Sequence, residues 1–424
     1  MNTSTPVLLL QSIAYGGLAI ARSLGRLGVP VYAVESKSLS PVFYSRYCRG
    51  HFCWNVETAP PDQTLGVLRN IALRIGGSPL LIPTTDNSAI FVAAHGEALK
   101  HWYRFPQQPD GLVNALCSKE QMYHLAKANG VPTAETKFPQ SRKDVEEFVA
   151  GAEFPVMLKA SDGARLFERT GKKMFIVRSA RELLEHYDRY EEPGNPNLML
   201  QEFIPGEADS IWMFNGYFDD KSECLIGFTG QKLRQCPAYT GYTSLGICRA
   251  NPSVAAITQL FMRKLGYRGI LDIGYRYDAR DGQYKVLDIN PRIGATFRLF
   301  VGENGMDVAR AFYLDMTGQA VVTSSAPEGR KWLVEDRDLA ASFRYFRDRK
   351  LRPLEWLTSF RGIRESAYLA DDDPVPFLMR GVALAQSPVR QVVQSIAKLI
   401  SRRAHSRVPQ VSPTLLSTRE PANN

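Results

Sequence analysis

The spacing of apolar positions predicts an open α/β sheet at the start of the chain. In order, the pattern comprises an apolar strand at Pro6–Leu10, a glycine turn at Ala14–Gly17, a helix through Leu27 and a second apolar strand at Val29–Val34. A strand, an amphipathic helix and a second strand make a βαβ unit with parallel strands. A candidate helix at 63–76 and an apolar segment at 80–83 continue the alternation, so the first domain is predicted as an open parallel sheet.

A polar turn, Thr84–Asn87, follows the apolar segment at 80–83. Strand ends and the loops after them line the ligand crevice in open α/β sheets. The turn therefore either faces a ligand or is an ordinary connection, and the residues alone leave both interpretations open.

The pattern changes between about residue 116 and residue 325. Apolar strands there come in pairs joined by turns such as Ala279–Gly282, which is typical of antiparallel sheets in α+β domains. The predicted strands are Val156–Ala160, Lys173–Arg178, Leu198–Ile204, Ile211–Asn215, Glu223–Thr229, Ile270–Tyr277 and Tyr284–Ile289. This arrangement predicts a second domain, of α+β architecture.

Several short helical patterns follow the Ser/Pro/Gly-containing stretch at 324–329. One of them, Pro388–Arg403, carries valine, leucine and isoleucine on one face and arginine and lysine outside that face. Such a basic amphipathic helix either packs on its own protein, which we favour, or lies on an acidic membrane. The Ser/Pro/Thr-rich segment from Arg407 predicts a disordered tail.

Composition excludes several classes of protein. The 424 residues are 44% apolar and 22% charged, as in ordinary soluble domains, and the formal net charge of +9 favours anionic partners without choosing among them. The six cysteines lack paired spacing, which predicts free thiols in a reducing compartment. No signal-peptide pattern and no apolar run of about 18 residues is found, so cytoplasmic residence is the expectation.

Two strands, Gly269–Asp278 and Gln283–Arg292, form a predicted hairpin that we call the acidic hairpin. Because side chains alternate with period two along a strand, Asp288 and Asn290 lie on one face, and Asp272 on the preceding strand can share it. Carboxylate and amide oxygens are ligands that Mg²⁺ accepts beside nucleotide phosphates. We favour a metal site here over a hairpin with solvated acids.

Two further stretches bear polar groups at the ends of apolar strands. Lys159 ends the strand at 156–160 and leads into a loop of small residues, which suits phosphate binding but is a weak pattern by itself. The strand at 198–204 turns at Pro205–Gly206, where Glu202 can bond a purine amine and Glu207 or Asp209 a ribose. This second stretch is equally compatible with an ordinary strand end.

Taken together, these motifs resemble the ATP-grasp superfamily, most closely its carboxylate–amine ligase branch. The resemblance spans roughly residues 1–325 and rests on FPVMLKASDG at 154–163, LQEFIPGEADS at 200–210, QKLRQCP at 231–237 and DINPRIGAT at 288–296. It implies an N-terminal pre-ATP-grasp open parallel sheet at 1–115 and a two-lobed ATP-grasp fold at 116–325, with lobes at 116–205 and 206–325. The sequence pattern after it predicts a mostly helical C-terminal region at 326–406 and a tail at 407–424.

The resemblance also implies a nucleotide site. The phosphates would contact Lys119 and Lys159, and the Ser161–Lys173 loop, with Ser161, Asp162 and Gly163, would close over them. The adenine would be held by Gln201, Glu202, Phe203 and Ile204. The ribose would be bound by Glu207 or Asp209. Asp288 and Asn290 would bind Mg²⁺, with Mn²⁺ as the alternative ion. Arg292, Lys232 and Arg234 would neutralise the transferred phosphoryl group as the catalytic residues.

This chain departs from the family pattern at Gly274, where relatives usually carry an acid or Gln on the first metal strand. Asp272 lies two residues earlier on the same strand face and is the candidate replacement ligand. The segment Pro237–Ser244, with Tyr239, Thr240 and Gly241, is the expected substrate wall, and Arg298 is the expected partner of a substrate carboxylate. Ordinary loop and core roles for these residues remain open.

The function implied by the resemblance is an ATP-dependent, ADP-forming ligase that joins a small carboxylate to an amine through an acylphosphate. A homodimer is the candidate assembly, and nucleic acid is not expected as a partner. The leading alternative is a non-catalytic ATP sensor or membrane-surface protein that uses its basic C-terminal helix. A dinucleotide enzyme is disfavoured because the first turn reads Ala-Tyr-Gly-Gly-Leu-Ala rather than GxGxxG.

Overall fold

The computed structural model describes residues 1–12, 14–37, 39–192 and 194–385. The chain divides into two compact units, Met1–Phe377 and Leu378–Asn424. The second unit is described only over 378–385, which is helical. The predicted helix at 388–403 and the predicted tail from 407 lie outside the described residues. Among the described helices, none has the length and apolarity needed to cross a membrane.

The first sheet is parallel, in the order β3-β2-β1-β4. Its elements are β1 (Val7–Leu10), α1 (Ala14–Gly25), β2 (Val31–Glu35), β3 (Cys48–Cys53), α2 (Pro61–Ile75), β4 (Leu80–Pro83), α3 (Asp86–Ala94) and α4 (Gly96–Leu99). All four residues of β1 are buried because the strand is covered on both faces. The predicted βαβ unit is confirmed by the parallel pairing of β1 with β2.

The second sheet is antiparallel, in the order β5-β8-β6-β7. Its elements and the helices around it are α5 (Leu112–Cys117), α6 (Lys119–Ala128), β5 (Thr136–Lys137), α7 (Arg142–Gly151), β6 (Val156–Ala160), α8 (Gly163–Thr170), β7 (Met174–Val177), α9 (Ala180–Tyr190) and β8 (Leu198–Glu202). Alternate residues of β6 are buried against α7 and α9, so the side chain of Lys159 lies on the opposite face from this core.

The third sheet has seven strands in the order β13-β12-β9-β10-β11-β14-β15. Its elements and helices are β9 (Ile211–Phe218), β10 (Cys224–Cys236), β11 (Tyr242–Cys248), α10 (Pro252–Leu265), β12 (Gly269–Asp278), β13 (Gln283–Asn290), α11 (Val308–Met316), β14 (Lys331–Leu333), α12 (Glu335–Arg347), α13 (Pro353–Ser359) and β15 (Ile363–Ser366). The predicted strand at 223–229 and the motif at 231–237 belong to one long strand, β10, except that Glu223 lies just before its start and Pro237 just beyond its end.

The region after residue 325 contributes strands as well as helices. Lys331–Leu333 pairs with β11, and Ile363–Ser366 pairs with Lys331–Leu333, so both extend the seven-stranded sheet. Strands of three and four residues are too short to give a clear periodicity, and only Trp332 among them is buried. A buried ion pair between Arg22 of α1 and Asp373, at 2.9 Å, also ties this region to the first sheet.

The two faces of the seven-stranded sheet have different neighbours. Met213 and Tyr217 belong to the core shared with the first sheet, whereas Phe214 and Phe218 belong to the core under α10. Since side chains alternate along β9, Asn215 lies on the same face as Met213 and Tyr217. This polar residue inside an apolar strand marks the part of the sheet where the candidate site lies.

Candidate functional site

The acidic hairpin is present as β12 and β13, and its register sets the geometry of the predicted metal ligands. Asp272 lies opposite Asn290, and Gly274 lies opposite Asp288. The side-chain nitrogen Nδ2 of Asn290 donates to the main-chain carbonyl of Asp272 at 3.2 Å. Asp272, Asp288 and Asn290 therefore lie on one face of the hairpin, as side-chain alternation predicted, in two cross-strand pairs that are two residues apart.

Asn215 extends this row onto a third strand, because β9 pairs with β12 so that Asn215 lies opposite Asp272. Asn215 is fully buried, and its Oδ1 atom has no hydrogen-bond partner among the described residues. The predicted site did not include Asn215, although the predicted strand Ile211–Asn215 ends at this residue. The only available indication was an amide within an otherwise apolar strand.

Burial raises the pKa of Asp272 to about 6, and the nearby charge of Asp288 acts in the same direction. Arg292 and Lys232 oppose the increase. Two carboxylates that repel each other beside an amide oxygen form a donor set that Mg²⁺ accepts when phosphates supply further ligands. No group of three His, Cys, Asp or Glu side chains suited to a metal occurs in the described part of the chain.

Lys119 forms an ion pair with Asp288. Burial acts to raise the pKa of Asp288, but the charge and hydrogen bond of Lys119 outweigh it, so this pKa lies below its ordinary value. The same pair holds the pKa of Lys119 above its ordinary value against the effect of burial. Lys119 is the first residue of α6, so it brings a cation to the acidic hairpin from a separate part of the fold.

Lys159 is the second cation of the site. Its Nζ donates to Oε1 of Gln201 at 2.6 Å. Burial lowers the pKa of Lys159 to about 8, and the positive charges of Lys119 and Arg276 add to this effect. The charge of Asp288 opposes the decrease without offsetting it. A bound phosphate would stabilise the charged form of Lys159 further.

Lys232 and Arg276 complete the cationic surroundings. Burial lowers the pKa of Lys232, while Asp272 and Asp288 act to raise it, which places its charge within reach of the acidic hairpin. Arg276 donates from Nη2 to the carbonyl of Gly206 at 2.5 Å, and its buried Nε has no partner in the described residues. The sequence prediction omitted Arg276, although it lies on the strand that supplies Asp272.

Arg292 links the acidic hairpin to the first sheet. Its Nε donates to Oδ1 of Asp86 at 2.8 Å, and its Nη2 donates to Oδ1 of Asn290 at 3.0 Å. Asp86 is the first residue of α3 and belongs to the polar turn Thr84–Asn87. The structure thus gives that turn a contact with a predicted catalytic residue, while Thr85 caps α3 through the Ser88 amide at 3.1 Å.

The predicted adenine and ribose residues lie at the end of β8 and in the segment after it. Glu202 accepts from Lys285 and from Arg280, both at 2.9 Å, so its carboxylate is already paired. Glu207 is exposed and accepts from Lys350 at 3.0 Å. The main chain of Asp209 accepts from Gln231 at 2.8 Å. Phe203 is half-buried and Ile204 is buried.

The predicted phosphate loop over Ser161–Lys173 is largely helical, and the loop prediction is wrong over Gly163–Thr170, which forms α8. Its first part is held by Asn197: the amide of Ser161 donates to the Asn197 carbonyl and the amide of Asp162 to its side chain, both at 2.8 Å. Along α8, Leu166 is buried in the core of the second sheet, and one turn later the Thr170 hydroxyl donates to the Leu166 carbonyl at 2.7 Å.

Two predicted site arginines are engaged elsewhere. Arg234 forms a bidentate ion pair with Asp338 at 2.7 and 2.9 Å, with both side chains almost fully buried. Arg298 pairs with Glu365 at 2.7 Å and also with Asp307. The structure does not group these guanidiniums with the acidic hairpin, because other acids, including the distant Asp338 and Glu365, bind them.

The predicted substrate wall is a tight loop between β10 and β11. The phenol oxygen of Tyr345 accepts from the amide of Tyr239 at 3.2 Å, and the Tyr239 hydroxyl donates to Asp348 at 3.1 Å. A side chain at Gly241 would meet the carbonyl carbon of Cys236 at 2.1 Å, so only glycine fits there. Thr240 is exposed. The loop is therefore fixed by α12 and presents Thr240 to solvent.

No family model matches the chain. The chain is 27% identical over 323 residues to a D-aspartate ligase from Enterococcus faecium, covering 72% of this chain and 75% of that protein.

Solved structures that share its fold include the following two. The biotin carboxylase domain of a Hydrogenobacter thermophilus 2-oxoglutarate carboxylase, solved with Mg·ADP and bicarbonate, has a TM-score of 0.58, 16% identity and coverage of 76% of this chain and 72% of its own. An L-amino acid ligase from Bacillus licheniformis has a TM-score of 0.56, 14% identity and coverage of 78% and 79%.

Proposed function

We propose that this chain, a member of the carboxylate–amine ligase branch of the ATP-grasp superfamily, is an ADP-forming ligase that joins a small carboxylate to an amine. The observation that carries the proposal is the pairing of Gly274 with Asp288 and of Asp272 with Asn290, surrounded by Lys119, Lys232 and Arg292. This arrangement combines oxygen donors for a metal with cations for phosphates.

The residues of the acidic hairpin fit Mg²⁺, since they offer two carboxylates and one amide oxygen, and Mn²⁺ is the alternative ion. When bound, the metal neutralises phosphate charge and orients the transferred group. Asp288 and Asn290 would hold it, with Asp272 as the third protein ligand in place of an acid at 274.

Phosphoryl transfer depends on positioning and charge neutralisation more than on covalent participation by the protein. An oxygen of the substrate carboxylate attacks the γ-phosphorus of ATP, and ADP leaves. Lys119, Lys159 and Lys232 would hold the phosphates, and Arg292 would stabilise the charge of the transferred group. No side chain needs to form a bond with the substrate.

In the second step, the amine nitrogen attacks the acyl carbon, and phosphate leaves with the oxygen that it received from the carboxylate. The amine loses one proton as the C–N bond forms. The loop at 237–244 is the proposed wall for the acceptor, and its fixed shape suits selection of one substrate.

Because its relative is a D-aspartate ligase, aspartate is the first substrate to test.

The domain bounds, the homodimer and cytoplasmic residence stay predictions. The remaining nucleotide-site residues, from Ser161 to Asp209, are proposed to hold ATP through their main chain as much as through side chains, since Glu202 and Glu207 are already paired.

The proposal is tested by ADP release from Mg·ATP with D- or L-aspartate, alone and with pooled amino acids and small carboxylates. The ligase assignment predicts ADP formation that depends on both an acid and an amine. Tight ATP binding without stimulated ADP release would instead favour the non-catalytic sensor.

A further inference from the structure

Charged side chains cluster where the turn end of the acidic hairpin meets the end of β8. Lys285 of this cluster lies three residues before Asp288, so about 10 Å of strand separates it from the proposed metal ligands. The hairpin therefore carries the proposed metal ligands in one part and this charged cluster in another. The cluster comprises Glu202 of β8 and four hairpin residues, Asp278, Arg280, Asp281 and Lys285.

Lys285 is the centre of the cluster. Its Nζ donates to Oε1 of Glu202 at 2.9 Å and to Oδ2 of Asp278 at 2.7 Å, and it lies 3.1 Å from Oδ2 of Asp281. The side chain of Lys285 is 10% exposed, and that of Asp278 is 0% exposed. Ion pairs withdrawn from water are screened less than surface pairs, so Lys285 can hold the Glu202 carboxylate in place.

Both oxygens of the Glu202 carboxylate are bonded within the protein. Besides Lys285, Oε1 accepts from the main-chain amide of Glu135 at 3.1 Å, and Oε2 accepts from Nη2 of Arg280 at 2.9 Å. The main-chain amide of Glu202 in turn donates to the carbonyl of Glu135 at 2.9 Å. The cluster thus fixes the main chain at the end of β8 as well as the side chain.

The direction of the Glu202 side chain separates it from the phosphate-binding face. Side chains alternate along β8, so Gln201 faces Lys159, whereas Glu202 lies on the other face with Leu200, which belongs to the core of the second sheet. A ligand beside Lys159 is therefore reached by the main chain after Glu202 rather than by its carboxylate.

The chain directly after Glu202 has main-chain groups available for a ligand. Among the residues that the structure describes, no main-chain hydrogen bond uses the amide or the carbonyl of Phe203 or Ile204. Backbone N–H and C=O groups are among the polar groups that fix the orientation of a bound ligand. The proposed function already places this segment at the nucleotide.

We propose that Lys285 is a positioning residue for the nucleotide base: by holding Glu202, it fixes the main chain of Phe203 and Ile204 in the conformation that binds the base. This inference rests on the proposed function, since the base belongs to the nucleotide that the ligase uses. Without Lys285, the segment must be ordered when the base binds, which lowers affinity. The phosphates are held by other lysines and keep their affinity.

The test compares Mg·ADP with Mg·pyrophosphate in calorimetric titrations, because both contain a diphosphate and only ADP carries the nucleoside. Wild type should bind ADP at least tenfold more tightly than pyrophosphate. Glu202→Gln and Lys285→Met should each bind ADP at least tenfold more weakly than wild type and pyrophosphate within twofold of it. Arg22→Met, which breaks the buried ion pair with Asp373, controls for loss of stability and should bind both ligands as wild type does.

The double variant Glu202→Gln with Lys285→Met separates positioning from a direct contact with the base. If Lys285 acts through Glu202, the double variant should bind ADP no more weakly than the weaker single variant. Additive losses, equal losses for ADP and pyrophosphate, or unchanged ADP affinity would each overturn the inference and leave the proposed function standing. Wild type that binds neither ligand would overturn both.

Discussion

The Nε atom of Arg292 donates a hydrogen bond to Oδ1 of Asp86 at 2.8 Å, joining residues 206 positions apart in the chain. The same guanidinium donates to Asn290, so the carboxylate of Asp86, at the start of α3, orients a residue beside the proposed metal. This contact makes the N-terminal sheet part of the site and leads to the first prediction.

Asp86→Asn should lower kcat/KM by roughly tenfold, or about 1.4 kcal/mol, because Arg292 loses the ionic partner that holds its orientation. The side chain of Asp86 is about half exposed, 51%, so the thermal midpoint should change little. The matched control is Asp62→Asn, an exposed acid in the first turn of α2. Equal kinetics for the two variants would contradict the positioning role.

Arg234→Met should destabilise the protein by about 3–5 kcal/mol, because it leaves the buried carboxylate of Asp338 without its cation. Urea unfolding of the variant against wild type measures this loss. The double variant Arg234→Met with Asp338→Leu should recover part of it, since no buried charge is then unpaired. A catalytic defect in Arg234→Met with unchanged unfolding would restore the phosphoryl-binding role that the resemblance implied.

ATP affinity should fall as the pH rises above about 8. Lys159 has a pKa lowered to about 8, so in the free protein it becomes neutral above this pH, while phosphate binding requires its charged form. Binding then takes up a proton, and affinity should fall by up to about tenfold per pH unit. Calorimetric titrations between pH 7 and 9.5 measure the slope.

Lys159→Arg provides the control, because a guanidinium stays charged throughout this range. Its ATP affinity should be nearly independent of pH between 7 and 9.5. An identical slope in wild type and in the arginine variant would show that another group is titrating.

Gly274→Asp should fold and should bind Mg²⁺ more tightly than wild type. A Cβ at residue 274 would meet no atom within 4 Å, and the position lies opposite Asp288. Without metal, the added carboxylate should lower the thermal midpoint by repelling Asp288; Mg²⁺ should then raise it more than in wild type. Gly66→Asp on α2, also open at its Cβ, is the control, and an equal Mg²⁺ response in both variants would argue against the metal site.

Local periodicity was enough to predict the βαβ unit and the acidic hairpin. The predicted strand Val156–Ala160 matches β6 in full, and Ile270–Tyr277 falls within β12. Both are apolar strands whose pattern depends on neighbours a few residues away. Side-chain alternation along β13 also predicted the shared face of Asp288 and Asn290.

Contacts between residues far apart in the sequence could not be predicted from local periodicity. Arg298 looked suited to a substrate carboxylate, but Glu365, which lies 67 residues later, pairs with it. Asn215 reaches the acidic hairpin only through the pairing of β9 with β12, and no local pattern specifies that register. Asp86 lies in a turn that the sequence marked as a possible ligand contact. Its ion pair with Arg292, however, depends on the tertiary structure.

The transfer of ¹⁸O from a labelled substrate carboxylate to phosphate tests the central claim most directly. The acid that stimulates ADP release would be labelled in its carboxylate, incubated with Mg·ATP and its amine, and the phosphate analysed by mass spectrometry. An acylphosphate pathway at the acidic hairpin predicts one ¹⁸O per phosphate formed and no phosphate from Asp288→Asn. Product formation with unlabelled phosphate, or full activity in Asp288→Asn, would contradict it.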